Sequence, residues 1–254
     1  MILSEAEIER YKKHLQLRQM GREGQVKLKQ ASVLVVGAGG LGSPVLMYLV
    51  GAGIGRIGIV DSDRLVLSNL QRQVLHETAS LDMKKVDSAH KRLSGLNPEV
   101  KFDIHAERLT GDNAEELIKG RQVVVDCTDN LETRFLMNEV CARMGVPLVY
   151  GAVFEFEGQV TVFDAQRGPC LRCMISDVPS PGAVPDPETH GLLNTVPGVI
   201  GMLQATEVLK LVLEIGEPLI GKLMLYDSLS AGLQQIRLSK RPDCPICGKY
   251  STLD

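Results

Sequence analysis

Five short apolar runs dominate the first 152 residues of the chain, with helical patterns between them. The runs show little polar alternation, which is typical of strands buried on both faces of a sheet; they lie at 32–36, 55–60, 100–105, 122–126 and 147–152. Apolar residues at helical spacing predict the intervening helices at 41–52, 83–94, 112–119 and 131–144. Strands that alternate with helices form a parallel sheet, so the pattern predicts a doubly wound, Rossmann-like α/β fold.

Beyond residue 152 the pattern changes. The run 158–163 follows 147–152 too closely for a crossover helix, so antiparallel strands are expected to extend the sheet. The segment 174–194 contains four prolines and three acidic residues and is expected to be a long exposed loop. A helix at 196–214 and strands at 222–227 and 233–239 complete the prediction.

The N-terminal segment is predicted to be helical. Ser4 followed by Glu7 matches a capping box, which begins a helix over 5–16, and a second helix is expected over 21–30. This charged start is unlike a signal sequence, and no uncharged apolar run nears the roughly 20 residues that a membrane span needs. We therefore expect a cytoplasmic protein that makes no membrane contacts.

Composition narrows the class of partner. The chain has 28 Lys and Arg against 31 Asp and Glu, a net charge of −3, which does not favour nucleic acid. Aromatic residues make up 4% of the chain, too few to build a base-stacking surface. No repeat or linker divides residues 1–254, so a single domain that binds small ligands through backbone and charge is expected.

A glycine motif follows the first predicted strand. Gly37, Gly39 and Gly42 form Gly-x-Gly-x-x-Gly between strand and helix, where backbone N–H groups can approach a phosphate closely. Asp61 comes 24 residues after Gly37, at the end of the next strand, where a carboxylate can accept hydrogen bonds from ribose. The motif alone does not separate NAD from ATP.

The segment after Asp61 favours a triphosphate. Arg72 and Lys85 could compensate the charge of β- and γ-phosphates, which an adenine dinucleotide does not require. Asp129 follows the fourth strand at the edge where such sheets bind ligands, and is a candidate Mg²⁺ ligand. Asp126 is interpreted as a packing or hydrogen-bonding residue.

Four of the six cysteines form two Cys-x-x-Cys pairs. Four thiolates fill the tetrahedral coordination of a structural zinc and leave no open position for catalysis. The pairs are Cys170 with Cys173 and Cys244 with Cys247, and 70 residues separate them. A zinc ion bound by both pairs would therefore tie the hairpin at strand 158–163 to the C-terminal tail. Two reduced, unmetallated pairs are the alternative.

In this order, the motifs GAGGLG, DSDRLVLSNLQRQ, MKKV, DCTDN, PCLRC and CPIC resemble the MoeB/ThiF/HesA family, prokaryotic relatives of ubiquitin-activating enzymes. The resemblance implies an adenylyltransferase that uses MgATP to activate the C-terminal Gly-Gly carboxylate of a small ubiquitin-like sulfur-carrier protein and releases pyrophosphate. Molybdopterin, thiamine or a related product would lie downstream, with a sulfur donor such as a sulfurtransferase. The resemblance also implies a homodimer.

The resemblance assigns the site residue by residue. Asp61 would hold ribose, Arg72 and Lys85 the phosphates, and Asp129 the metal. The nucleotide would lie against Gly37, Gly39, Gly40, Gly42, Asp61, Ser68, Asn69, Arg72, Lys85, Asp129 and Asn130. The single adenylating domain would comprise N-terminal helices (1–30), a nucleotide-binding half (31–153), and an antiparallel extension with crossover loop and zinc site (154–254).

The sequence departs from the family pattern at two places. The crossover loop within 174–194 contains no cysteine, although members commonly carry one there, and the matching position falls near Pro187. The N-terminal motif usually reads Arg-Tyr-x-Arg, and its second Arg reaches the ATP of the partner subunit; here Lys13 stands in that place. Lys13 keeps the charge but loses the bidentate fork.

Three alternatives stay open at this point. An NAD-dependent oxidoreductase would use the glycine turn and Asp61 but would leave Arg72, Lys85 and the cysteine pairs unexplained. A catalytically inactive scaffold that binds the carrier would fit the two departures. A related tRNA-modifying dehydratase is disfavoured by the slightly acidic charge balance.

Overall fold

The computed structural model describes residues 2–176 and 190–248. Its strands form one eight-stranded sheet in the order β3-β2-β1-β4-β5-β6-β7-β8. The strands are β1 (Ser32–Val36), β2 (Arg56–Val60), β3 (Lys101–His105), β4 (Val123–Asp126), β5 (Leu148–Phe154), β6 (Glu157–Phe163), β7 (Lys222–Asp227) and β8 (Gly232–Arg237). The helices are α1 (Glu5–Arg10), α2 (Lys12–Leu15), α3 (Gly21–Gln30), α4 (Gly42–Ala52), α5 (Lys85–Leu96), α6 (Ala114–Ile118), α7 (Leu131–Met144), α8 (Leu171–Met174) and α9 (Thr195–Leu213).

The sheet changes from parallel to antiparallel where the sequence pattern does. Strands β3, β2, β1, β4 and β5 pair in parallel, and β5 to β8 pair antiparallel. The chain runs outward from β1 to β3 and then returns to place β4 beside β1. Such a reversal opens a crevice at the carboxyl ends of the two strands, which is where open α/β sheets bind ligands. The predicted mixed α/β sheet is confirmed.

Helices cover both faces of the parallel strands. Val33 and Val35 of β1 pack into one apolar core with residues of α4, α5 and α9. Leu34 and Val36 point to the opposite face and pack with residues of α6 and α7. Every other residue of a strand faces the same side, so burial on both faces explains why these runs carry almost no polar residues.

Helix α9 is long and apolar enough to cross a membrane by length and composition, a property that the sequence prediction did not identify. Half of it is buried inside the protein, and it packs against α4, β5 and β6. Glu207 on this helix is buried and accepts a hydrogen bond from the backbone N–H of Leu219 over 2.8 Å. These contacts identify α9 as a core helix of the fold.

The N-terminal helix differs from its prediction. Instead of one helix over 5–16, the structure has α1 and α2 with a break at Tyr11. The buried Tyr11 hydroxyl accepts a hydrogen bond of 2.8 Å from Asn97, which itself donates to the carbonyl oxygen of Val50. The hydrogen bond from Asn97 fixes the Tyr11 side chain in the core, and we attribute the break between α1 and α2 to this bond. Of the predicted loop 174–194, residues 177–189 lie outside the described part of the chain, and so does Pro187.

Candidate functional site

The glycine turn between β1 and α4 is tightly closed. Gly37 has φ +98°, and a Cβ at that position would lie 2.5 Å from the carbonyl oxygen of Cys127 at the end of β4. A Cβ on Gly42 would lie 2.0 Å from the Gly37 carbonyl oxygen. Larger residues cannot occupy either position without moving the backbone. The turn therefore places the N-terminus of the 11-residue helix α4 at the carboxyl edge of the sheet.

Asp61 fixes this turn from the neighbouring strand. Its Oδ2 accepts a hydrogen bond of 2.8 Å from the backbone N–H of Ala38, and its Oδ1 accepts one of 2.8 Å from Asp63. The side chain is half-buried, and each carboxylate oxygen has a further lone pair. It can hold the turn and also accept hydrogen bonds from ribose hydroxyls.

Two cations line the same edge. The stem of Arg72 packs beside the glycine turn, because a Cβ on Gly40 would lie 3.6 Å from Arg72 Cγ. The Arg72 guanidinium donates over 3.2 Å to the carbonyl oxygen of Ser68. Lys85 is the first residue of α5 and is 7% exposed, with its Nζ 2.8 Å from Asp63 Oδ2. The sequence analysis did not identify Asp63 as its partner.

His76 is a further residue of the site that sequence reasoning did not find. Its Nε2 lies 2.9 Å from the Ala38 carbonyl oxygen, and its Nδ1 lies 2.9 Å from Ser88 Oγ. Burial lowers the pKa of His76, so the neutral ring with hydrogen on Nε2 fits both partners. The ring joins the glycine turn to α5. No spacing among the histidines signals this role.

The end of β4 supplies the acidic side of the site. Asp129 is exposed, and Asn130 caps α7 by accepting a hydrogen bond of 2.9 Å from the Thr133 N–H. Asp126 is fully buried, and burial raises its pKa against the opposing charge of Arg134. The interpretation of Asp126 as a hydrogen-bonding residue agrees with this placement, because its Oδ1 accepts two bonds from Thr128.

Most of the predicted residues therefore meet at one edge. The glycine turn, Asp61, Arg72 and Lys85 are joined through shared contacts, and Asp129 follows the strand that contacts Gly37. Asn69 lies in a 3-10 turn, where its Oδ1 accepts from the Val66 N–H over 3.3 Å. Lys13 is exposed on α2, which packs on α3, and no hydrogen bond or ion pair within residues 2–176 and 190–248 links it to the others.

The carboxyl edge of the parallel strands has the features that bind a nucleoside triphosphate. The helix N-terminus and backbone N–H groups can receive phosphate oxygens. Arg72 and Lys85 can add charge-assisted hydrogen bonds. Asp129 offers a hard oxygen ligand of the kind that Mg²⁺ takes together with phosphate oxygens. The two cations and the backbone N–H groups of the glycine turn match the negative phosphates of ATP, and the carboxylate of Asp129 matches the positive charge of Mg²⁺.

The four paired cysteines come together between the segment after β6 and the C-terminal tail. Their sulfur atoms all lie within 4.8 Å of one another, with Cys170 3.6 Å from Cys244 and Cys173 3.4 Å from Cys247. Sulfurs bound to one zinc at ~2.3 Å stand about 3.8 Å apart in a tetrahedron. The donor set and its spacing fit a zinc ion that would join the segment after β6 to the C-terminal tail.

The electrostatics of this cluster favour thiolate at Cys170, whereas burial raises the pKa of Cys244 and the hydrogen bond with Cys170 raises the pKa of Cys247. Hydrogen bonds from Cys247 and Cys244 lower the pKa of Cys170 to about 5, and the backbone N–H of Arg241 donates to Cys173 Sγ over 3.3 Å. Cys170 directly precedes the single helical turn α8. That turn follows an antiparallel strand, so it differs from a redox motif after a parallel βαβ strand.

Comparison with known proteins reports similarity over almost the whole chain. The family model described as the ThiF family matches residues 11–246. The sulfur carrier protein adenylyltransferase of Thermus thermophilus is 47% identical over 97% of this chain and 93% of that protein. The SAMP-activating enzyme E1 of Haloferax volcanii is 43% identical over 97% of this chain and 91% of that protein. The adenylyltransferase and sulfurtransferase MOCS3 of Anopheles gambiae is 44% identical, and the match covers 99% of this chain and 57% of that protein.

Solved structures agree on the fold. E. coli MccB with MccA-N7isoASN superposes with a TM-score of 0.83 at 22% identity, over 95% of this chain and 75% of that one. E. coli MccB with ATP superposes with a TM-score of 0.82 at 22% identity, over 97% of this chain and 76% of that one.

The fold is that of an α/β protein with a mixed sheet, and the candidate site lies at the switch point of that sheet. The match to residues 11–246 makes the particular assignment: the chain belongs to the ThiF family.

Proposed function

We propose that this protein is an ATP-dependent adenylyltransferase that activates the C-terminal Gly-Gly carboxylate of a small ubiquitin-like sulfur-carrier protein. The observation that carries the proposal is the meeting of Arg72, Lys85 and Asp129 with the glycine turn at one sheet edge. Two relatives at 43–47% identity, named as a sulfur carrier protein adenylyltransferase and a SAMP-activating enzyme, support the substrate class.

The reaction joins two anions. A carboxylate oxygen of the carrier attacks the α-phosphorus, a new O–P bond forms, and the bond between the α-phosphorus and its bridging oxygen breaks to release pyrophosphate. The attacking carboxylate is ionised near neutral pH, so no general base is required. Catalysis then depends on neutralising charge and holding the attacking oxygen in line.

Each residue has a part in this scheme. Asp61 and the glycine turn hold the nucleoside, with Gly39, Gly40, Ser68, Asn69 and Asn130 lining its surroundings. Arg72 and Lys85 bind phosphate oxygens and stabilise the departing pyrophosphate. Asp129 would hold Mg²⁺, and the bound ion would neutralise phosphate charge in the transition state. The cysteine cluster would hold zinc and take no part in the chemistry.

Two finer features belong to the same proposal. We expect a homodimer in which Lys13 of one copy completes the nucleotide site of the other; within residues 2–176 and 190–248 no hydrogen bond or ion pair links Lys13 to the site residues of its own chain. We also expect the carrier adenylate to pass to a sulfur donor such as a sulfurtransferase, for molybdopterin, thiamine or related biosynthesis. The MOCS3 relatives, which are named for both activities, support a link between adenylation and sulfur transfer.

The test is ATP–pyrophosphate exchange with a carrier that ends in Gly-Gly, and with the same carrier lacking both glycines as control. Exchange should require the intact tail, and Arg72→Ala should lower turnover by about 10²-fold, comparable with losing one transition-state donor. The exposed Arg92 of α5 offers a matched arginine control, and Arg92→Ala should leave exchange unchanged. Tight NAD binding without exchange would instead favour the oxidoreductase alternative.

A further inference from the structure

A buried polar cluster lies directly behind the end of β4. Asp126 is fully buried, and Arg134 in the first turn of α7 is 7% exposed, with its Nε 3.6 Å from Asp126 Oδ2. Gln204 of α9 closes the other side, where its Nε2 donates to the Asp126 carbonyl oxygen over 2.7 Å. Burial of a charged pair costs desolvation free energy. Since burial of Asp126 and Arg134 has this cost, we look for the reason for their burial in the groups to which they bond.

Arg134 holds two strands and a loop at once. Its guanidinium donates to the carbonyl oxygen of Thr128, to that of Gly151 over 3.1 Å, and to the Tyr150 hydroxyl over 3.0 Å. Its Cζ also lies 4.9 Å from the centre of the Tyr150 ring. The loop after β4 is thereby fixed to β5, and a lysine could not reproduce this planar set of bonds.

Thr128 is held from both sides by the charged pair. Its backbone N–H and its hydroxyl donate to Asp126 Oδ1 over 2.9 and 2.7 Å, while its carbonyl oxygen accepts from Arg134. The next residue, Asp129, is exposed, and its carboxylate makes no hydrogen bond or ion pair within residues 2–176 and 190–248. The orientation of Asp129 therefore depends on the Thr128 peptide.

We propose that Arg134 and Asp126 are positioning residues, which fix the Thr128–Asp129 peptide so that the Asp129 carboxylate is aimed at the cation that accompanies ATP. The inference rests on the proposed function and on the role it gives Asp129. Within residues 2–176 and 190–248, Asp126 Oδ2 and Arg134 Nε have no hydrogen-bond partner. A shift of roughly 0.5–1 Å would join them directly. Bonds of this kind often tighten when a ligand binds.

The experiment measures metal binding separately from turnover. Mn²⁺ replaces Mg²⁺, and its binding to the protein with a non-hydrolysable ATP analogue is followed by electron paramagnetic resonance. Arg134→Lys should weaken Mn²⁺ binding by about 10-fold or more, the usual effect of losing a residue that orients a metal ligand. ATP affinity in EDTA should change less than about twofold. Arg143→Lys is the matched control, because Arg143 lies on the same helix and is exposed.

A second variant keeps the inference testable if Arg134→Lys does not fold. Thr128→Val removes the hydroxyl donor at nearly constant volume and should weaken Mn²⁺ binding in the same direction. In an Asp129→Ala background neither change should weaken Mn²⁺ binding further, because the oriented group is gone. Wild-type Mn²⁺ affinity in Thr128→Val or Arg134→Lys would overturn the positioning role alone. A wild-type protein that binds no Mn²⁺ with nucleotide would overturn the role of Asp129 as well.

Discussion

Asp129 and Asp126 are three residues apart but have opposite environments. Asp126 is fully buried and accepts hydrogen bonds from Thr128, whereas Asp129 is exposed in the loop after β4. The buried carboxylate of Asp126 stabilises the local structure, and the exposed carboxylate of Asp129 is available to a cation. The sequence separates the two roles because the strand pattern ends at Asp126, which leaves Asp129 in the loop.

Replacement of Asp129 should therefore affect chemistry and leave the fold intact. Asp129→Ala removes a loop carboxylate and no core volume, so pyrophosphate exchange should fall below detection while the midpoint of thermal unfolding stays within a few degrees. Glu132→Ala, on the first turn of α7, is the control for the loss of one nearby acidic group. Exchange near the wild-type rate in Asp129→Ala would remove this residue from the site.

Glycine positions give a second test at residue scale. Gly37→Ala places a Cβ at positive φ, 2.5 Å from the Cys127 carbonyl oxygen, and should destabilise the protein by about 2 kcal/mol or more. Gly95 lies inside α5 with nothing within 4 Å of its virtual Cβ, so Gly95→Ala should stabilise by about 0.5–1 kcal/mol. Urea unfolding measures both, and equal effects of the two changes would contradict the tight approach at Gly37.

At the scale of elements, all eight strands are confirmed within a residue or two of their predicted ends. Buried apolar runs carry that information locally, and the close spacing of β5 and β6 identifies the antiparallel turn. Local sequence does not predict the helix break at Tyr11 or the burial of His76, because each depends on a partner far along the chain. These partners are Asn97 for Tyr11 and Ala38 for His76. The same holds for Arg134, whose contacts with β5 have no local signature.

The cysteine cluster joins the segment after β6 to the C-terminal tail, so a bound metal should stabilise the antiparallel half. We expect one zinc per chain, and Cys173→Ser or Cys244→Ser should release it and lower the midpoint of thermal unfolding. Nucleotide affinity should persist, since the cluster lies apart from the glycine turn.

Cys141→Ser provides the control for this metal prediction. Cys141 is buried in the core between α6, α7 and β5, so its replacement should leave one equivalent of zinc by metal analysis. A stable, folded wild-type sample with well below one equivalent would contradict the zinc assignment.

At the scale of the whole molecule, the candidate nucleotide site and the cysteine cluster belong to different halves of the sheet. The parallel half presents the glycine turn, Asp61 and Asp129 at one edge, while the antiparallel half leads to the cysteine cluster. Helix α9 packs on β5 and β6 and on α4, so it joins the two halves. Gln204 of α9 reaches the end of β4. In the proposed reaction, a carrier tail that approaches the glycine turn would meet charge and backbone, because the cysteine cluster follows β6 and Cys127, which contacts the turn, is buried.

The distribution of thiols predicts where activation stops. Residues 174–194 contain no cysteine, and burial raises the thiol pKa of both Cys127 and Cys141, so neither is a competent nucleophile at neutral pH. The other four lie in the cluster. The acyl adenylate should therefore be the end product on this chain, and an external sulfur nucleophile should attack its mixed anhydride.

Intact-mass measurement after incubation with MgATP and carrier checks this prediction. The spectrum should contain carrier adenylate and no covalent enzyme–carrier species that a reductant removes, and the double variant Cys127→Ala with Cys141→Ala should adenylate the carrier as the wild type does. Substitution of both buried thiols costs some core packing, so its unfolding midpoint is measured alongside. A thioester or persulfide-linked conjugate that maps to Cys127, Cys141 or a cysteine of the cluster would show that a thiol of this chain does take part, because burial would then have failed to suppress its reactivity.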